Sequence, residues 1–88
     1  MYQAASGGHE SVVKMLLEAN ADVDKQDTYG RTALHRAASG GHERVVEMLL
    51  EAKAEVDKED RYGWTALDVG IVWERPRVVN ILWAAKQA

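Results

Sequence analysis

The chain repeats itself at an interval of 33 residues, and this repeat constrains the fold more than any other feature. Residues 4–34 and 37–67 are identical at all but seven of 31 aligned positions, and the run AASGGHE is unchanged in both copies. A third, more divergent copy follows, because Val78-Val79 lies 33 residues after Val45-Val46. Such an interval is typical of stacked units that are each too small to bury an apolar face alone.

Each copy contains the signals of two short helices. Thr32 is a good N-cap for a helix over residues 33–39, and Gly40-Gly41 supplies the backbone freedom that ends it. A second helix is predicted over residues 43–52, because its apolar residues recur at helical spacing. These residues form one stripe: Val45, Val46, Leu49 and Leu50.

The segment between successive helix pairs reads as a loop. Residues 53–64 have no apolar period and contain the pattern Asp60-x-x-Gly63, which predicts an extended stretch that closes in a β-turn. The order within a unit is therefore helix, turn, helix and protruding turn.

Composition excludes several classes of function. The 88 residues carry 11 basic and 14 acidic side chains, and this excess of acid argues against nucleic acid as a partner. The absence of cysteine excludes disulfides and thiolate nucleophiles. No apolar run approaches the roughly 20 residues of a membrane span, and the first residues lack the features of a secretory signal. We expect one globular domain without membrane contact, located inside the cell and in the cytoplasm.

The stretch from Asp27 to His42, DTYGRTALHRAASGGH, resembles the ankyrin repeat in its period and in its Thr-x-Leu-His-x-Ala signature. The Val-Val-x-x-Leu-Leu helix and the Ala-Asp-Val-Asp segment at residues 21–24 agree with the same family. The resemblance implies an all-α fold, an ankyrin-repeat solenoid of stacked helix-turn-helix units with protruding β-turns. It divides the single domain, residues 1–88, into three repeats. The first spans about 1–26 and is truncated at its start, the second spans about 27–59, and the third, which is cap-like, spans about 60–88.

The departures from the family pattern carry their own expectations. Asn20 and Lys53 stand where a left-handed glycine is usual; Asn tolerates that conformation and Lys does so poorly, so the second junction should be the less stable. In the third copy Asp68 replaces the histidine and Glu74-Arg75 replaces Gly-His. Pro76 then falls in the first turn of a helix, where its missing N–H costs nothing.

The two ends of the chain differ. The third copy has gained polar residues that suit a terminal unit, namely Arg75, Arg77, Asn80, Lys86 and Gln87. Trp83 is expected to fill the core or to cover this end. The first copy begins inside its first helix, so either the chain is a piece of a longer array or another molecule covers this face.

An uncovered first unit should expose part of its second helix. The apolar residues concerned are Val12, Met15 and Leu16. We expect weak homo-oligomerisation through this N-terminal end, or fraying of residues 1–8. The competing interpretation is that Met1 and Tyr2 fold back over the gap.

No catalytic, cofactor or metal motif is complete, so we expect no enzyme and no cofactor. His42-Glu43 resembles the start of a zinc-peptidase helix, but Val46 occupies the second histidine position. The recurrence of His9, His35 and His42 follows from the repeat, and the resemblance implies that such histidines hydrogen-bond adjacent turns. A metal site or an enzyme built on them is the distant alternative.

The resemblance implies that a protein partner binds the concave side formed by the turns and the first helices. The candidate contact residues are Thr28, Tyr29, Arg31, Ser39, Arg61, Tyr62, Trp64 and Trp73. Tyr, Trp and Arg are enriched in interface hot spots. Tyr29 and Tyr62 either bind or pack on the neighbouring turn, whereas Trp64 has the better claim to bind. The alternative function is a structural segment of a longer array that binds nothing by itself.

Overall fold

The computed structural model describes residues 5–87, and within them the fold is all-α, as predicted. Five helices lie wholly inside this range: α1 (Glu10–Glu18), α2 (Ala33–Gly40), α3 (Glu43–Glu51), α4 (Ala66–Val72) and α5 (Pro76–Gln87). Ala5 and Ser6 are also helical, and no strand occurs among the described residues. The observed bounds of α2 and α3 lie within one residue of the predicted ones.

Side-chain caps define where the first helix of each pair begins. The Thr32 hydroxyl accepts a hydrogen bond from the His35 amide, and the His35 ring in turn accepts one from the Thr32 amide, which closes a capping box. Thr65 and Asp68 form the same arrangement at the start of α4. Because these bonds span only three residues, the helix starts are determined locally.

The helices stack in two layers. The first helices, α2 and α4, pack on each other, and the second helices pack in the order α1, α3, α5. The apolar stripe predicted for α3 is confirmed for Val45, Val46 and Leu49, which are buried, whereas Leu50 is half-buried. The core is completed by buried residues from every copy: Ala5, Val13, Ala33, Leu34, Ala37, Ala38, Ala54, Ala66, Val69, Val78 and Leu82.

Left-handed residues occur at the junctions between helices and loops. Asn20 and Lys53 have φ of 62° and 72°, so both adopt the conformation predicted for them. Glu74 also has a positive φ, 56°, at the position where the second copy has Gly41 with φ 70°. A side chain with a Cβ is strained in this region, so Lys53 and Glu74 destabilise the fold locally.

The ends of the stack leave apolar side chains in solvent. Val12 and Met15 are 46% and 68% exposed, which confirms the expectation of exposure on α1, and Leu16 is half-buried. Trp83 is 55% exposed on α5, so the expectation that it fills the core is wrong, and the alternative, that it covers the C-terminal end, stays a prediction. The expectations for Met1 and Tyr2 lie outside the described residues. Within residues 5–87 no helix is both long and apolar enough to cross a membrane.

Candidate partner-binding surface

Two β-turns with the same internal bonding project beside the first helices. In the first turn the Asp27 carboxylate accepts hydrogen bonds from the amides of Tyr29 and Arg31, at 2.9 and 2.8 Å. The Gly30 amide donates to the Asp27 carbonyl at 2.9 Å. Glycine suits this position because its φ is 78° and because an added Cβ would lie 2.9 Å from the Arg61 backbone nitrogen.

The second turn repeats these bonds. The Asp60 carboxylate accepts from the amides of Tyr62 and Trp64 at 2.8 and 2.9 Å. The predicted Asp-x-x-Gly turns are therefore confirmed, and each aspartate holds the backbone of its turn in one conformation.

The two turns are joined to each other. The Arg61 amide donates to the Tyr29 carbonyl at 2.9 Å, and the Arg61 guanidinium donates to the Thr28 carbonyl at 3.1 Å. The Gln26 side-chain amide adds a bond to the Glu59 carbonyl at 3.1 Å. Thr28 and Arg61, two of the candidate contact residues, thus contribute to the rigidity of the surface through these bonds.

Four of the candidate residues meet in one cleft between the turns and the first helices: Arg31, Ser39, Trp64 and Trp73. The cleft has a volume of about 140 Å³, and the other described residues that line it are His35, Arg36, Asp60 and Val69. None of these four was among the candidate contact residues. A signal for Arg36 was present, because residue 36 precedes Ser39 by three and therefore shares its helix face.

The two turn tyrosines lie outside this cleft. Tyr29 and Tyr62 are both at least half exposed. The Arg31 guanidinium lies over the Tyr29 ring, 5.3 Å from its centroid, a distance at which a cation is attracted to the ring face. Tyr29 therefore positions Arg31 at the mouth of the cleft.

His35 connects the second copy to the third. Its Nε2 donates to the Trp64 carbonyl at 2.7 Å, and its Nδ1 lies 3.2 Å from the Thr32 amide, so the carbonyl and the amide define which ring nitrogen carries the proton. The imidazole is 2% exposed. The interpretation of His35 as a residue that hydrogen-bonds the neighbouring turn is confirmed.

A second hydrogen bond between successive copies occurs twice, once from a histidine and once from an arginine. His42 Nε2 donates to the Ser6 carbonyl at 3.1 Å, and Arg75, 33 residues later, donates through Nε to the Ser39 carbonyl at 3.1 Å. Arg75 therefore performs in the third copy what His42 performs in the second. Across residues 5–87, no three His, Asp or Glu side chains are grouped so that they could hold a metal ion.

Comparison with known proteins agrees with this architecture. A family model that describes ankyrin repeats matches residues 1–88 in three copies. The comparison with curated proteins found no match. Since the family match covers the whole chain, and the capped helix pairs and linked turns follow its period, the chain belongs to the ankyrin-repeat family.

Proposed function

We propose that this chain is a non-catalytic module that binds a partner protein through the concave face formed by its β-turns and first helices. Ankyrin repeats are generally protein–protein interaction modules, and the family is typically non-catalytic. The observation that carries the proposal for this chain is the cleft in which Trp64 and Trp73 lie beside Arg31. We further propose a cytoplasmic location, since proteins of this family are commonly intracellular.

The rigidity of the turns supports this proposal. Aspartate carboxylates hold both turns, and Arg61 joins them through two hydrogen bonds. A surface that is already ordered loses little conformational entropy when a partner binds, so more of the contact energy appears as affinity. The exposed Tyr and Trp side chains of this surface, together with Arg61, are of the types enriched in hot spots.

A second candidate function is self-association through the N-terminal end. Val12 and Met15 of α1 are exposed, whereas Val45 and Met48, at the same positions of α3, are buried and half-buried in a stack in which α3 packs on α1. Apolar patches of this kind favour association. The two functions use different faces of the stack and can be tested separately.

The test is partner capture from a cell extract by immobilised protein, with a double variant, Tyr29→Ala and Trp64→Ala. The matched control is Met15→Ala combined with Trp83→Ala, which removes two exposed apolar side chains at other faces. We expect the turn variant to lose the proteins that the wild-type chain and the control retain. Equal capture by both variants would place the binding surface elsewhere.

A further inference from the structure

We propose that the cleft takes an extended segment of the partner protein in which an Asp or Glu side chain adjoins a bulky apolar side chain. This inference rests on the proposed function, because it names the chemistry of the partner at the same surface. It follows from two different halves of the cleft, one apolar and one basic.

The apolar half comes from the third copy. Trp64 and Trp73 are exposed at the cleft, and Val69 of α4 is buried and also lines it. Small-molecule sites usually enclose roughly 300–1,000 Å³. A cleft of about 140 Å³ is smaller than that range and suits a single side chain. The indole rings favour an apolar side chain there, because its burial removes apolar surface from water on both partners.

The basic half comes from the second copy. Arg31 and Arg36 occupy the positions at which the third copy has Trp64 and Val69. Arg31 takes part in none of the salt bridges within residues 5–87. The cations of those salt bridges are Arg44, Lys58, Arg77 and Lys86. Its guanidinium is oriented by the Tyr29 ring.

The carboxylate of the cleft does not offset Arg31. Asp60 is the acidic residue among the described residues that line the cleft, and its Oδ1 already accepts two backbone amides of its own turn. An incoming carboxylate therefore complements the Arg31 guanidinium.

The positions of the two halves predict the order of the side chains along the partner segment. Basic side chains and aromatic side chains lie one copy apart, so a segment that crosses from the second copy to the third meets a cation first and indole rings next. A carboxylate and an apolar side chain in adjacent positions satisfy both halves at once.

Nuclear magnetic resonance of the full chain tests this proposal, because its three Trp residues provide separate indole N–H signals. The probes are short capped peptides of glycine and serine that carry a central Glu-Phe, Gln-Phe or Glu-Ala pair. We expect the Glu-Phe peptide to shift the signals of Trp64 and Trp73 and to leave that of Trp83 in place. Each of the other two peptides should bind about tenfold more weakly, the usual effect of removing one charge-assisted hydrogen bond or one apolar contact.

Substitution of Arg31 tests whether this residue binds the carboxylate of the peptide. Arg31→Gln should weaken the Glu-Phe peptide about tenfold and the Gln-Phe peptide by less than about twofold, since the interaction that it removes needs both charges. Arg77→Gln, on an exposed residue outside the cleft, is the matched control and should leave both affinities unchanged. The Arg31 amide bond to Asp27 is a backbone bond and survives the substitution.

Equal affinity for the Glu-Phe and Gln-Phe peptides, or shifts confined to Trp83, would overturn the proposed partner chemistry. The absence of any shift with all three peptides would overturn it as well. None of these three results affects the capture experiment, which tests whether a partner binds the turn surface at all. A failure of capture by the wild-type chain, by contrast, would contradict the proposed function.

Discussion

Removal of the His35 side chain is the most informative perturbation of this stack. The imidazole is almost fully buried and bonds Thr32 within its own copy and the Trp64 carbonyl in the next. His35→Ala leaves the buried Thr32 amide and the Trp64 carbonyl without this partner. Asp68 is the matched control, because it caps α4 in the same register, is exposed and bonds only within its own turn of helix.

The two substitutions should differ severalfold in cost. An unsatisfied buried polar group costs about 1–3 kcal/mol, so His35→Ala should lower the free energy of unfolding by about 2–4 kcal/mol. Asp68→Ala loses an exposed capping interaction that water replaces, at a cost of about 0.5–1 kcal/mol. A domain of 88 residues has a total stability of roughly 4–13 kcal/mol, so the loss of His35 removes a large share of it.

Urea unfolding followed by circular dichroism measures both values. With a slope of about 1.5 kcal/mol per molar urea, the midpoint should fall by about 1.3–2.7 M for His35→Ala and by about 0.3–0.7 M for Asp68→Ala. Equal shifts for the two variants would refute the reasoning, since the bond between copies would then contribute nothing beyond the local cap.

Three further results are expected. Leu49→Ala should cost about 2–5 kcal/mol in urea unfolding because it opens a cavity in the core, whereas Leu16→Ala, in the same register but half-buried, should cost less; equal costs would contradict the assigned burial. Glu74→Gly should raise the thermal midpoint by about 4 °C through relief of the left-handed strain, and a fall would refute that strain. The wild-type chain should show concentration-dependent sedimentation that Met15→Lys suppresses, and a strict monomer at every concentration would exclude association through α1.

The helix bounds and turns could be predicted because their causes are local. The Thr32 cap reaches three residues along the chain, the Asp27 carboxylate reaches two to four, and Gly41 ends α2 through its own backbone conformation. Each interaction lies inside a short window of sequence, so reading that window is sufficient.

The candidate site could be predicted only in part. Arg31, Ser39, Trp64 and Trp73 share a cleft, whereas Tyr29 and Tyr62 stay outside it. Arg36 and Val69 were missed because the sequence places them on first helices without showing how far each helix stands from the neighbouring turn. That distance depends on how the copies stack.

The amino-acid sequence by itself determined the period, the family and the positions of the caps and turns of this chain. Which side chains are buried was decided by the tertiary structure. Val12 and Val45 are the same residue in nearly the same local sequence, yet their exposures are 46% and 1%. The helix of Val45, α3, packs on both α1 and α5, whereas α1 lies at the end of the described stack of second helices. Trp83 occupies the register of Leu50 and is exposed on the last helix. Burial belongs to the pair of surfaces that meet, so identical segments can lie in the core or in solvent according to their neighbours.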